Sequence, residues 1–212
     1  EALAVSLGSR AALAHVAGDF AGAGERYAQS VALMREQGSV HADAFDYFTT
    51  AGLLLSQRRL GEHLHEARLA RERLGPLTDD LLVLTLLAAG RESEARAVPW
   101  GTYPYRHDYF ESALLTFRAM AAVRLERPDL AEALIEQLSP VAEQLAGLCS
   151  TAIVVRPVAL TLGELHLFLG DRVQAAECFG LARQIADRWS AGPWQAEARA
   201  ALDALARQVD DQ

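Results

Sequence analysis

The side chains best suited to chemistry in this chain are its histidines and their acidic neighbours. Glu62, His63, His65 and Glu66 sit together. A helical metal site needs two histidines four residues apart, as in HExxH, because that spacing puts both imidazoles on one face. Here they are two apart, so the group reads as a solvated helix face. Glu164 and His166 are also two apart and fall on different faces, which makes a poor acid–base pair. Gly22-Ala23-Gly24 looks like a scrap of a phosphate loop, but no strand precedes it, and close helix packing explains the glycines better. The serines and the two cysteines, Cys149 and Cys178, have no base partner or nucleophile elbow. Arg58, Arg59, Arg68, Arg71 and Arg73 are interleaved with Glu62, Glu66 and Glu72, a wet face of mixed sign rather than a phosphate site. No catalytic, metal or cofactor site is expected, and an enzyme is the weakest functional reading.

The bulk numbers narrow the classes further. The net charge is −8 and the pI is near 5.2, without the electrostatic footprint of direct nucleic-acid binding. All 20 basic residues are arginine, and the chain holds no lysine or asparagine, a pattern we read as GC-rich codon bias. Apolar residues make up 51%, ample for a continuous core. The longest apolar run, Leu81–Ala89, is too short to span a bilayer and is interrupted by Thr85, so no membrane partner is expected. Two cysteines without metal-ligand spacing fit a reducing cytoplasm. The sequence opens on Glu1 inside a helical pattern, so residues 1–212 are read as one domain cut from a larger multi-domain protein.

The elements that would carry any site are helices. Residues 156–205 read as helix, Gly170-Asp171 turn, helix, Gly192-Pro193 turn and a further helix. Leu162 and Gly163 in the first helix face Ala175, Phe179 and Ala182 in the second, the spacing of a tetratricopeptide repeat. Small residues let the two backbones approach, and Phe179 fills the wedge beside them. Gly18-Asp19 repeats the turn, followed by Ala23, Tyr27 and Ser30 at matching positions. A second unit turns at Arg58-Arg59, and a shorter third turns at Gly90 and is stopped by Pro99. A fourth turns near Pro128, and Pro140 should break its second helix. The pattern predicts an all-α, right-handed tetratricopeptide-like solenoid of about five helix pairs with a C-terminal capping helix. Ala152–Val155 is the only run that leans towards β-structure.

The block 156–205 resembles the C-terminal tetratricopeptide-like regions of large bacterial ATP-binding transcriptional regulators. These include the LuxR-type and antibiotic regulatory activator families and related signalling ATPases. The likeness rests on Arg156-Pro157-Val158-Ala159, Leu162-Gly163, Leu169-Gly170-Asp171, Ala175-Ala176, Phe179, Ala182, Gly192-Pro193-Trp194 and Ala198. It covers about a quarter of the chain. The resemblance implies a helical array that senses an effector or partner and controls self-association, beside an ATPase and a DNA-binding domain. Residues 1–212 contain no GxxxxGK[ST] and no basic recognition helix, so those activities would belong to other parts of such a protein. A free-standing adaptor for protein–protein interaction is the alternative.

Repeat arrays bind on the inner face of each first helix. With the turns set in register, His15, Phe45, Phe48, Leu55, Leu84, Leu87, Arg118, Glu164 and Leu167 fall on that side. The set is largely apolar and suits an apolar helix, a small amphipathic effector or a second copy of the chain. The irregular stretch after Pro99 concentrates Trp100, Tyr103, Tyr105, His107, Tyr109 and Phe110. It reads first as a plug over the short helix before it and second as a ligand-recognition loop, to which Tyr105 and His107 would contribute.

Overall fold

Helix boundaries follow the turn chemistry of the sequence. The computed structural model describes residues 2–150 and 152–210, the side chains of 208–210 excepted, and the described residues form eleven α-helices and no strand. In chain order these are α1 (Ala2–Ala17), α2 (Phe20–Glu36), α3 (Ala42–Ser56), α4 (Leu64–Leu74), α5 (Asp79–Ala88) and α6 (Glu92–Ala97). They continue with α7 (Glu111–Arg124), α8 (Pro128–Leu138), α9 (Val158–Phe168), α10 (Arg172–Arg188) and α11 (Gly192–Asp210). Asp19 and Asp171 cap α2 and α10 by accepting the Gly22 and Gln174 N–H groups. Pro128 opens α8, and α8 ends at Leu138 just before Pro140. Among the described residues no helix is long and apolar enough to cross a membrane.

The turn inside each helix pair is the same object repeated. At Gly18, Arg58, Gly90, Glu126 and Gly170 the backbone enters the left-handed region, with φ between 57° and 85°. Each donates its N–H to the carbonyl three residues back, and the next residue donates to the carbonyl five back, as Asp19 does to Ala14 and Arg59 to Leu54. Arg58 and Glu126 therefore occupy positions that the other turns give to glycine, at a steric cost. The departure from Gly-Asp at 58–59 weakened the sequence match without altering the turn.

Helices pack mostly on their chain neighbours. Pairs form as α1/α2, α3/α4, α5/α6, α7/α8 and α9/α10, with α11 against α10, and α7 also meets both α5 and α9. Gly163 lies so close to α10 that a Cβ there would sit 2.4 Å from the Phe179 ring, the wedge anticipated from spacing. Gly61 serves a similar contact, since a Cβ would meet the Ala88 carbonyl oxygen at 2.7 Å.

The expected open hollow is not open. Ala12 and Val16 of α1 share a buried apolar cluster with Leu160 of α9, Phe179 of α10 and Trp194 of α11, so the first hairpin seats against the last. His15 and Trp194 lie 6.1 Å apart, ring centre to ring centre. The space between the hairpins is partly filled by the segment 142–157, pinched by the antiparallel bridge of Leu145 and Pro157. Its bonds run from Ala146 N–H to the Arg156 carbonyl and from Val155 N–H to the Ala146 carbonyl. The β-leaning run forms no strand and leads into the bridge at Pro157, with its Ile153, Val154 and Val155 buried among the helices. Gly52 of α3 lets the Val154 carbonyl approach, and Ala152 lies against Gly8 of α1.

Candidate functional site

Two irregular segments and the helices that hold them define the interior site. Asp79 and Asp80 begin α5, where carboxylates favour the helix dipole. Both are buried nonetheless, and each is met by an arginine: Asp79 by Arg71, and Asp80 by Arg118 of α7 at 2.8 Å. Burial pushes the Asp79 carboxyl above its ordinary range, against the pull of Arg71. Asp80 also accepts the Gly101 N–H at 2.8 Å and the Tyr105 hydroxyl at 2.5 Å. Arg118 donates to the Tyr103 carbonyl at 2.7 Å, and its guanidinium lies 4.3 Å from the centre of the Tyr105 ring. Burial, and then the Asp80 charge, push the Tyr105 hydroxyl well above its ordinary pKa, so it stays a donor. Five groups from three parts of the chain thereby latch residues 101–105 onto α5 and α7. Trp100 is buried in the core behind them, as the plug reading expected.

Beside this latch lies a cavity of about 1100 Å³. One wall is aromatic, built from Phe45 and Phe48 of α3, Phe117 of α7, and Tyr103, Tyr105 and Phe110 of the latched stretch. Ala113 and Ile153 also line it, as do Gly8, Ser30 and Met34 of the first hairpin. Tyr109, Arg106, Asp108 and His41 stand at its exposed edge. Phe48 both lines the cavity and packs in the core, stacked 6.5 Å from Phe117. An aspartate there would cost stability as well as any ligand.

Of the positions expected on the inner face, only Phe45 and Phe48 line this cavity, and of the two loop residues Tyr105 does; the others are placed differently. His15 is buried at the junction of first and last hairpins, sharing a hydrogen bond of 2.8 Å with Ser56 Oγ. Burial lowers its pKa to about 4, which keeps the ring neutral. Leu84 is enclosed core, and Leu55 and Leu87 are half-buried against the same cluster. Arg118 is consumed by the latch. Leu167 is exposed, and His107 projects into solvent beside Glu111, at 2.8 Å. Glu164 pairs with the buried Arg156 at 2.8 Å, and Glu197 of α11 adds a second carboxylate at 3.1 Å. Burial works against the Arg156 charge, but the two carboxylates outweigh it and raise its pKa. That triad ties segment 142–157 to α9 and α11. The register thus puts two α3 residues on a cavity, while most of its other positions are enclosed or paired elsewhere.

The solvated-face reading of the 62–66 group holds for Glu62, His65 and Glu66 and fails for His63, which is buried and stacks on Tyr47 at 5.6 Å. Among the described residues no cluster of three or more histidine, cysteine or acidic side chains could hold a metal ion. Asp80, Ala113 and segment 142–157 escaped the sequence reading. An acidic pair at a helix start looks like ordinary dipole compensation, and nothing local marks it for burial. Compared with known proteins, the chain matches no family model, no curated sequence and no solved structure.

Proposed function

We propose that this chain is a non-catalytic sensing module: a tetratricopeptide-like solenoid of five helix pairs with α11 as cap, which binds an effector in its interior and controls self-association. The observation that carries this reading is the aromatic cavity. Its walls come from the first hairpin, from α3, from α7 and from the latched 101–110 stretch, elements far apart in sequence. A ligand touching all of them favours whichever arrangement of the hairpins closes best around it, and the energy it supplies is its differential affinity for the two arrangements. The resemblance of residues 156–205 adds the setting, a cytoplasmic bacterial transcriptional regulator or signalling ATPase in which neighbouring domains read the change. The gene around this segment tests the setting: an ATPase or DNA-binding domain encoded in frame is expected, and an intact short reading frame would count against it. Sedimentation of the chain with and without a bound effector tests the mechanism.

The second reading, a free-standing protein adaptor, draws on α1. It exposes Leu3 and Leu13, apolar groups that a protein partner would cover. Capture of a partner that leaves sedimentation indifferent to small molecules would favour it.

A further inference from the structure

We infer that the interior cavity takes an amphipathic organic acid, with an apolar body among the aromatic side chains and a carboxylate at the exposed edge. This deepens the sensing role proposed above and rests on it for its biological meaning, though not for its chemistry. A volume of about 1100 Å³ lies just above the usual range of ligand pockets, which run from ~300 to ~1,000 Å³. A helix from a protein partner, about 10–12 Å across, would exhaust it within roughly two turns, too few for a set of spaced anchors. A long-chain or polycyclic molecule fits the space better.

The edge supplies the polarity. Arg106 lines the cavity, is exposed, and forms no ion pair among the described residues. His41, also exposed and lining the cavity, precedes α3 and makes no side-chain cap for that helix. The one acid on the rim, Asp108, already accepts the Phe110 N–H at 2.8 Å. Asp43, in the first turn of α3, is paired with Arg35 at 3.0 Å. Donors therefore predominate at the rim of a chain whose net charge is −8. That net charge does not decide the matter, because fields beyond about 8 Å are screened at physiological salt. An ammonium head would meet Arg106 directly.

Calorimetric titration of the 212-residue chain with dodecanoate and with dodecyltrimethylammonium, each below its micelle-forming concentration, tests the assignment. Dodecanoate should bind saturably at one site, roughly tenfold or more tighter than the ammonium compound. Arg106→Gln, a change at an exposed position, should weaken dodecanoate about three- to fivefold and, by removing a like charge, should tighten rather than weaken the ammonium compound. Ala44→Trp, which fills the cavity from α3, should abolish saturable binding of both. Absence of saturable dodecanoate binding, equal affinity for the two head groups, or indifference to both substitutions would each overturn the proposal. If dodecanoate binds as expected but sedimentation is unchanged, the site stands and the sensing role falls. If another effector alters sedimentation while dodecanoate does not bind, the sensing role survives without this ligand class.

Discussion

The C-terminal block α9–α11 and the irregular segments 99–110 and 142–157 are built on different physics. In the block, contacts are between sequence neighbours and rest on size: Gly163 admits Phe179, and Ala175, Ala182 and Ala198 are fully enclosed. In the irregular segments, contacts join residues far apart in the chain and rest on charge. Asp80 and Arg118 hold one segment, and Arg156 with Glu164 and Glu197 holds the other. Apolar packing degrades gradually as its fit worsens. A buried ion pair fails abruptly, because removing one partner strands the other.

The comparison is broken most decisively at Asp80. Asp80→Ala strands the Arg118 charge, the Tyr105 hydroxyl and the Gly101 N–H, and should cost about 3–5 kcal/mol in chemical denaturation. It should also expose Trp100, read as a red-shifted fluorescence. A loss under about 1 kcal/mol would mean that the latch is ornamental.

The junction of first and last hairpins comes next. His15 has a folded-state pKa of about 4 against 6.5 unfolded, so the unfolded chain binds more protons between those values. Stability should therefore fall as pH drops from 6.5 towards 4, by about 3 kcal/mol in total. His15→Gln should flatten that part of the profile relative to the parent chain. Identical slopes would remove His15 as the cause.

Gly163→Ala probes the packed block. The added methyl meets the Phe179 ring and should cost about 1–3 kcal/mol without disturbing the Trp100 signal. The smallest effects are gains. Arg58→Gly and Glu126→Gly each relieve a left-handed residue worth about 1–2 kcal/mol, offset by the greater freedom of glycine in the unfolded chain. Each should raise stability by roughly 0.5 kcal/mol, measurable as a small rise in Tm.

These regions also differ in how far sequence could see them. The helices, the Gly163–Phe179 wedge and most turns were legible because the cause of each lies within one repeat's length. The inner-face register reached Phe45 and Phe48 for the same reason. It misjudged Leu84 and Glu164 because their surroundings depend on which distant segment fills the hollow. Periodicity carries no information about an insertion that is itself irregular. Tyr105 was flagged for its aromatic company, but its partner Asp80, 25 residues earlier, bears no mark beyond a helix start. His63 misled for a related reason: its charged neighbours are exposed while the ring itself turns inward onto Tyr47.

The seating of α1 against α11, with Val154 in the apolar cluster they share, changes how the molecule comes apart. A linear array unravels from its ends, each unit contributing independently. Here the two ends brace one another, and the valines in the middle lose their cover if either end lifts. Melting should be a single all-or-none event, and trimming α11 should unfold α1 as well. Assembly in turn must wait for residues at opposite ends of the chain to meet, which makes folding slow for an all-helical protein.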